Sequence, residues 1–95
     1  MLIIAGHLIL SPSDRDHFVD GHLDLVKRAR QAPGCLDLAI SADPVDVTRV
    51  NNYERWEDED SLANWRKIAN PPHLNIDFLG GDMVKYHIES TGPVF

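Results

Sequence analysis

Only one cysteine, Cys35, occurs in 95 residues, which rules out an intrachain disulfide and leaves no zinc-type cysteine spacing. A reducing cytoplasm is therefore the expected setting. Basic residues are scarce as well: 9 Lys+Arg stand against 15 Asp+Glu, a formal net charge of −6. With no basic run longer than Lys27-Arg28 followed by Arg30, no nucleic acid and no membrane surface is expected as a partner. Apolar runs fall far short of the ~20 residues that span a bilayer. The stretch Met1-Leu2-Ile3-Ile4-Ala5-Gly6-His7 has no basic leader and soon meets Ser11-Pro12, so it reads as a strand rather than a signal peptide. A phosphate-cradling loop is missing, since Gly80-Gly81-Asp82 has neither the spacing nor the strand-to-helix setting. The histidines at 7, 17, 22, 73 and 87 contain no pair at the helical spacing of metal ligands. Neither a cofactor nor a metal is expected.

What remains is one short domain, expected over residues 1–95. A chain of this size buries only about 60–65% of the surface it exposes when unfolded, so a second copy would help it. Residues 2–10 are apolar on both faces, His7 excepted, as in a strand covered on both sides. Ser11-Pro12-Ser13-Asp14 then opens a helix, with Ser11 as N-cap, Pro12 at the first helical position and Asp14 placed for a capping box; Ser13 with Asp16 would also serve. Phe18, Val19, His22, Leu25, Val26 and Ala29 continue at helical spacing, and Pro33-Gly34 ends one long helix.

Cys35 to Ala42 alternates, with Leu36, Leu38 and Ile40 on one face against Cys35, Asp37 and Ala39. Asp43-Pro44-Val45-Asp46 turns the chain and 47–57 returns as the other arm of a hairpin. Asp58 is the expected cap of the next helix, so the acidic run at 57–60 is read as helix-dipole chemistry and not as a metal site. Leu62, Trp65 and Ala69 form that helix's buried stripe until Asn70-Pro71-Pro72 stops it. A short extra turn is expected over His73–Leu79, then a last strand over 82–89, and a loose tail from Ser90 to Phe95. The order is β-α-β-β-α-β, an α+β ferredoxin-like fold with a four-stranded antiparallel sheet and helices on one face. Two helices cover only one face, so the open face is expected to be buried in a homodimer.

The most informative stretch is Arg49-Val50-Asn51-Asn52-Tyr53-Glu54-Arg55-Trp56-Glu57. In an extended chain Val50, Asn52, Glu54 and Trp56 share a face. A buried carboxamide without partners costs about 1–3 kcal/mol, and a buried indole N–H needs an acceptor. Asn52 and Trp56 lie roughly 13 Å apart along the strand, with Glu54 between them, a spacing that brackets a flat aromatic ligand. The alternative is a core Trp, with Asn52 and Glu54 satisfied by neighbouring backbone. His22, in the apolar stripe of the first helix, is either a satisfied core residue or a general base. His7 carries the same ambiguity, and Cys35 reads as a small buried hydrophobe.

These residues resemble the antibiotic biosynthesis monooxygenase family, small proteins of the dimeric α/β-barrel type that include cofactor-free quinol and anthrone oxygenases. The resemblance spans nearly the whole chain. It is carried by Arg30-Gln31-Ala32-Pro33-Gly34-Cys35-Leu36, by the 49–57 stretch, and by Val84-Lys85-Tyr86-His87-Ile88 with Gly92-Pro93-Val94. In polyketide-tailoring members an Asn and a Trp four residues apart on the third strand line the pocket, and Asn52 and Trp56 match them. Haem-degrading relatives have a pocket Trp matched by Trp65. They also carry a first-strand Asn where this chain has Gly6, and a haem-ligating His where it has Asn75; His73 falls two residues short, so haem degradation is disfavoured. Quinol-oxidising members often have a His at the Trp65 position. The resemblance implies a cofactor-independent monooxygenase acting with O2 on a small aromatic or polyketide-like quinol or anthrone. Asn52, Trp56 and His22 are its expected catalytic residues, and Trp65, Glu54 and His73 its expected substrate contacts. A non-catalytic ligand-binding or sensing dimer of the same fold is the alternative.

Overall fold

Ser11 both stops the first strand and starts the first helix. Its backbone is extended, its hydroxyl accepts from the Asp14 amide at 3.3 Å, and Pro12 follows with no N–H to satisfy. The computed structural model describes residues 1–95 and runs in the order β1 (Leu2–Ile9), α1 (Pro12–Gly21), α2 (Leu23–Ala29), β2 (Cys35–Ala42), β3 (Arg49–Trp56), α3 (Glu59–Ile68) and β4 (Gly80–His87). Asp58 caps α3, accepting from the Ser61 amide at 2.7 Å. That bond, with one from the Ser61 side chain, holds the Asp58 carboxyl below its ordinary range.

The strands lie in the order β2-β3-β1-β4, each neighbouring pair antiparallel. Each helical connection therefore passes over one intervening strand, which is the ferredoxin-like βαββαβ arrangement. Leu2 and Ile4 of β1, Leu38 of β2 and Trp56 of β3 meet Ala29, Leu62 and Trp65 from the helices in one core cluster. Leu10, Phe18 and Val50 form a second cluster nearer the other end of the sheet. Fully burying side chains such as Trp56, Leu10, Leu62 and Val50 contributes about 1.5–3 kcal/mol each. The opposite face carries Ile3, Ala5 and Ile9, with Val84 and Tyr86 of β4 left 41% and 49% exposed. Arg15 ties the helical layer to the β2–β3 turn by donating to the carbonyls of Asp43 and Asp46.

Four local expectations change. The long first helix is broken at His22, whose φ and ψ of −94° and 2° leave the helical region. The ring Nδ1–H of His22 donates to the Phe18 carbonyl at 2.8 Å, where its own backbone N–H also points. The preceding Gly21 sits too close to Leu74 to accept a side chain without a shift. In β2 a bulge between Cys35 and Asp37 puts Cys35 on the core side opposite Trp56 and leaves Leu36 40% exposed. No turn forms over His73–Leu79, where Asn75 adopts a positive φ of 51° that a right-handed helical turn does not allow. The last strand starts at Gly80 instead of 82, since Leu79 N–H already bonds to the Ile9 carbonyl at 2.8 Å.

Candidate functional site

Asn52 and Glu54 point from β3 toward the helices, as their alternation with Val50 and Trp56 requires. Across the sheet Asn52 lies opposite Gly6 of β1, and Gly6 in turn lies opposite Met83 of β4. Gly6 holds a φ of 152°, and a Cβ there would collide with the Asp82 carbonyl. Without that side chain, the Asn52 Nδ2–H group reaches across β1 to the Met83 sulfur at 3.8 Å. The Asn52 Oδ1 is buried and has no partner.

Glu54 sits between Ile4 on one side and Leu38 on the other, both buried. Its Oε1 accepts the Trp56 indole N–H at 3.0 Å, which answers the need for an acceptor inside the core. Trp56 is fully buried and stacks on Trp65 with centroids 6.4 Å apart and planes at 25°. The Arg28 guanidinium lies 5.6 Å from the Trp65 ring centroid.

Asn52, Glu54 and Trp65 line one cavity of about 200 Å³ between sheet and helices, with Phe18, Leu38 and Met83 among its other walls and Arg66 its one cationic side chain. Of the six candidate residues the fold thus brings three to this cavity. Trp56 lies behind it, touching it only through Glu54 and Trp65. His22 and His73 line a separate cavity of about 370 Å³, formed with Phe18, Phe78 and the Pro71–Ile76 segment. Asn52, Trp56 and His22 do not converge. Phe18 is the shared wall, its ring 4.1 Å from that of His22.

Met83, Arg66 and Phe18 were not singled out from the sequence. For Met83 a signal existed, because a glycine inside an apolar strand marks a close backbone approach. Burial first, then the Glu54 and Asp37 carboxylates, push the Cys35 thiol up, which disfavours the thiolate. No group of three or more His, Cys, Asp or Glu side chains is placed to hold a metal ion.

The antibiotic biosynthesis monooxygenase family model matches residues 1–70. None of the curated proteins matches the sequence significantly. Among solved structures, a Deinococcus radiodurans protein provisionally assigned as an antibiotic biosynthesis monooxygenase is 20% identical, with a TM-score of 0.77 over 100% of this chain and 99% of its own. A Nitrosomonas europaea protein with the same provisional assignment is 16% identical, with a TM-score of 0.72 over 95% of this chain and 100% of its own. The Mycobacterium tuberculosis haem degrader MhuD, solved with two haems in its active site, is 9% identical, with a TM-score of 0.68 over 98% of this chain and 100% of its own. At such identities the likeness is one of fold, and that fold serves more than one chemistry.

Proposed function

The chain belongs to the antibiotic biosynthesis monooxygenase family, and from that premise we propose that it oxygenates a small phenolic or anthrone-type aromatic with O2, without metal or flavin. The observation that carries this reading is the Asn52 carboxamide on the wall of an apolar cavity, where one Nδ2–H makes only a weak 3.8 Å contact with the Met83 sulfur. The other Nδ2–H is free to hold a substrate oxygen.

The reaction needs little from the protein. A phenolic proton leaves, and the electron-rich anion passes electrons to O2. A C–O bond then forms at the ring carbon para to the hydroxyl, giving a hydroperoxide. Loss of that carbon's hydrogen and cleavage of the O–O bond yield the quinone carbonyl and water. One oxygen atom enters the product, the other leaves as water, and the substrate supplies every electron. In this scheme Asn52 donates to the oxyanion or peroxide, Trp65 packs on the ring, and Trp56 acts from behind through Glu54. His22 serves as base only for a substrate that extends past Phe18, where His73 would meet it.

We further propose a homodimer closed over the open sheet face. Val84 and Tyr86 are exposed there, and the buried Arg55 Nε on the same face has no acceptor within the chain. No helix is long and apolar enough to cross a membrane; the cytoplasm is proposed on the single cysteine alone. The burial of Trp56 and the displacement of His22 favour a second reading, a ligand-binding dimer without turnover. Oxygen uptake decides between them. With naphthols, anthrones and quinols in the presence of a chelator, uptake should occur and fall roughly 10²–10³-fold in Asn52→Ala, the scale for removing one such donor. Tight binding with no uptake would establish the second reading.

A further inference from the structure

Phe18 is the one residue that lines both cavities, and its ring is held from several sides. Leu10 and Val50, both fully buried, share a core cluster with it, and packing of that density leaves the root of the side chain no room to shift. Two rings that line the second cavity lean on it: His22 at 4.1 Å with a tilt of 34°, and Phe78 edge-on at 5.8 Å. Phe78 is 57% exposed and belongs to a segment without regular structure, so it restrains Phe18 weakly. His22 is fixed more firmly. Its Nδ1–H bond of 2.8 Å runs to the carbonyl of Phe18 itself, which keeps the imidazole against the ring one helical turn away.

The volumes on the two sides give that wall a consequence. A protein cavity of about 150 Å³ takes benzene, so one of about 200 Å³ takes a substituted single ring or two fused rings and not a tetracycle. The space beyond Phe18 is about 370 Å³. Joining the two would more than double the room, so the position of one phenyl ring decides which ligands fit.

We propose that Phe18 is the specificity-determining residue of the site, a fixed partition that admits one- and two-ring ligands and excludes four-ring ones, and that His22 is the positioning residue that buttresses it. Only the class of ligand rests on the functional reading above, since such a wall limits any flat molecule. His22 thereby gains a role other than that of a base. With the partition in place, no ligand in the first cavity reaches its free Nε2. Removing either ring, the wall or its buttress, opens the way into the second cavity.

Anaerobic binding tests this without turnover, with 1-naphthol and 1-hydroxypyrene as probes and the second measured by its displacement of the first. The wild type should hold 1-naphthol roughly a hundredfold tighter than 1-hydroxypyrene, whose extra rings meet the wall. Phe18→Leu and His22→Ala should each bring that ratio within roughly tenfold. His22→Phe, which keeps a ring against Phe18, should restore it. A merely structural role for either residue would weaken both probes alike and leave the ratio unmoved. Leu25→Ala is the control for volume, since it enlarges the first cavity without touching the partition; its ratio should stay at the wild-type value. Should Phe18→Leu fail to fold, His22→Ala at its half-buried position carries the test. A wild type that holds both probes equally, folded variants that leave the ratio unmoved, or a Leu25→Ala variant that gains as much as Phe18→Leu would overturn the proposal. The expected ratios with no oxygen uptake in air would leave the partition standing and remove the monooxygenase reading. Uptake with 1-naphthol and 1-hydroxypyrene alike would do the reverse.

Discussion

Replacing Asn52 by leucine should stabilise the protein while it abolishes activity. The wild-type oxygen is buried with no partner, a condition worth about 1–3 kcal/mol against the native state. Leucine is close to isosteric, removes that penalty and adds apolar contact with Phe18, Leu38 and Met83, which line the same cavity. Against this stands only a long N–H to sulfur contact of 3.8 Å. The net expectation is about 1–2 kcal/mol of added stability, or roughly 5–15 °C in Tm for a domain of this size. Urea and thermal unfolding at one fixed protein concentration measure it, since dimerisation would couple to folding. Asn51→Leu is the control on the other face of the strand. Its amide donates to Asp43 and accepts from Arg49, at 2.9 and 2.7 Å, so that substitution should destabilise. A loss of more than about 1 kcal/mol in Asn52→Leu would show that the amide is part of the fold and refute the reasoning that leaves it for a ligand.

Three further outcomes follow from the same geometry. Hydrogen bonds from Asn51 first, then from the Asp46 and Val45 amides, pull the Asp43 carboxyl from 3.8 to about 2. A depressed carboxyl contributes above its unfolded value and stops contributing as pH falls through its folded one. The 43–46 turn should therefore lose amide protection as pH drops from 3.8 to about 2, as NMR would show, and protection that persists unchanged below that range would contradict it. Gly6→Ala should lower stability by about 1–3 kcal/mol through its strained φ, and calorimetry should find ligand affinity reduced because β4 and Met83 are pushed away. Val84→Lys or Tyr86→Lys should turn a dimer into a folded monomer in sedimentation at low micromolar concentration; unchanged dimers would move the interface elsewhere.

The capping signals were legible in the sequence because they are local: Ser11-Pro12 and Asp58 start the helices where their side chains meet nearby amides. Alternation from Arg49 to Trp56 likewise set which side chains share a face, and the fold keeps that pairing. What escaped reading depends on contacts far along the chain. The helical period runs through Gly21-His22 without interruption, so nothing marked the break that the His22 ring makes on Phe18. The bulge at Leu36 inverts Cys35 against a simple alternation, and it follows from pairing with β3 and from Asp37 accepting the Leu38 amide at 2.9 Å. Asn52 and Glu54 were identifiable as polar groups facing inward, but whether Trp56 reached a ligand or Glu54 turned on where the two side chains met. His22 was read from its place in an apolar stripe, yet Phe18 comes between it and Asn52.

The central claim is that this protein inserts one atom of O2 into a small phenolic ring with no added metal or flavin. Incubating the purified protein with 1,3-dihydroxynaphthalene under ¹⁸O2 and a chelator, followed by mass spectrometry of the product, tests it directly. One ¹⁸O per quinone formed and one O2 consumed per substrate are expected, with the rate falling roughly 10²–10³-fold in Asn52→Ala. Product without label, or label that appears only after iron, copper or flavin is supplied, would contradict it.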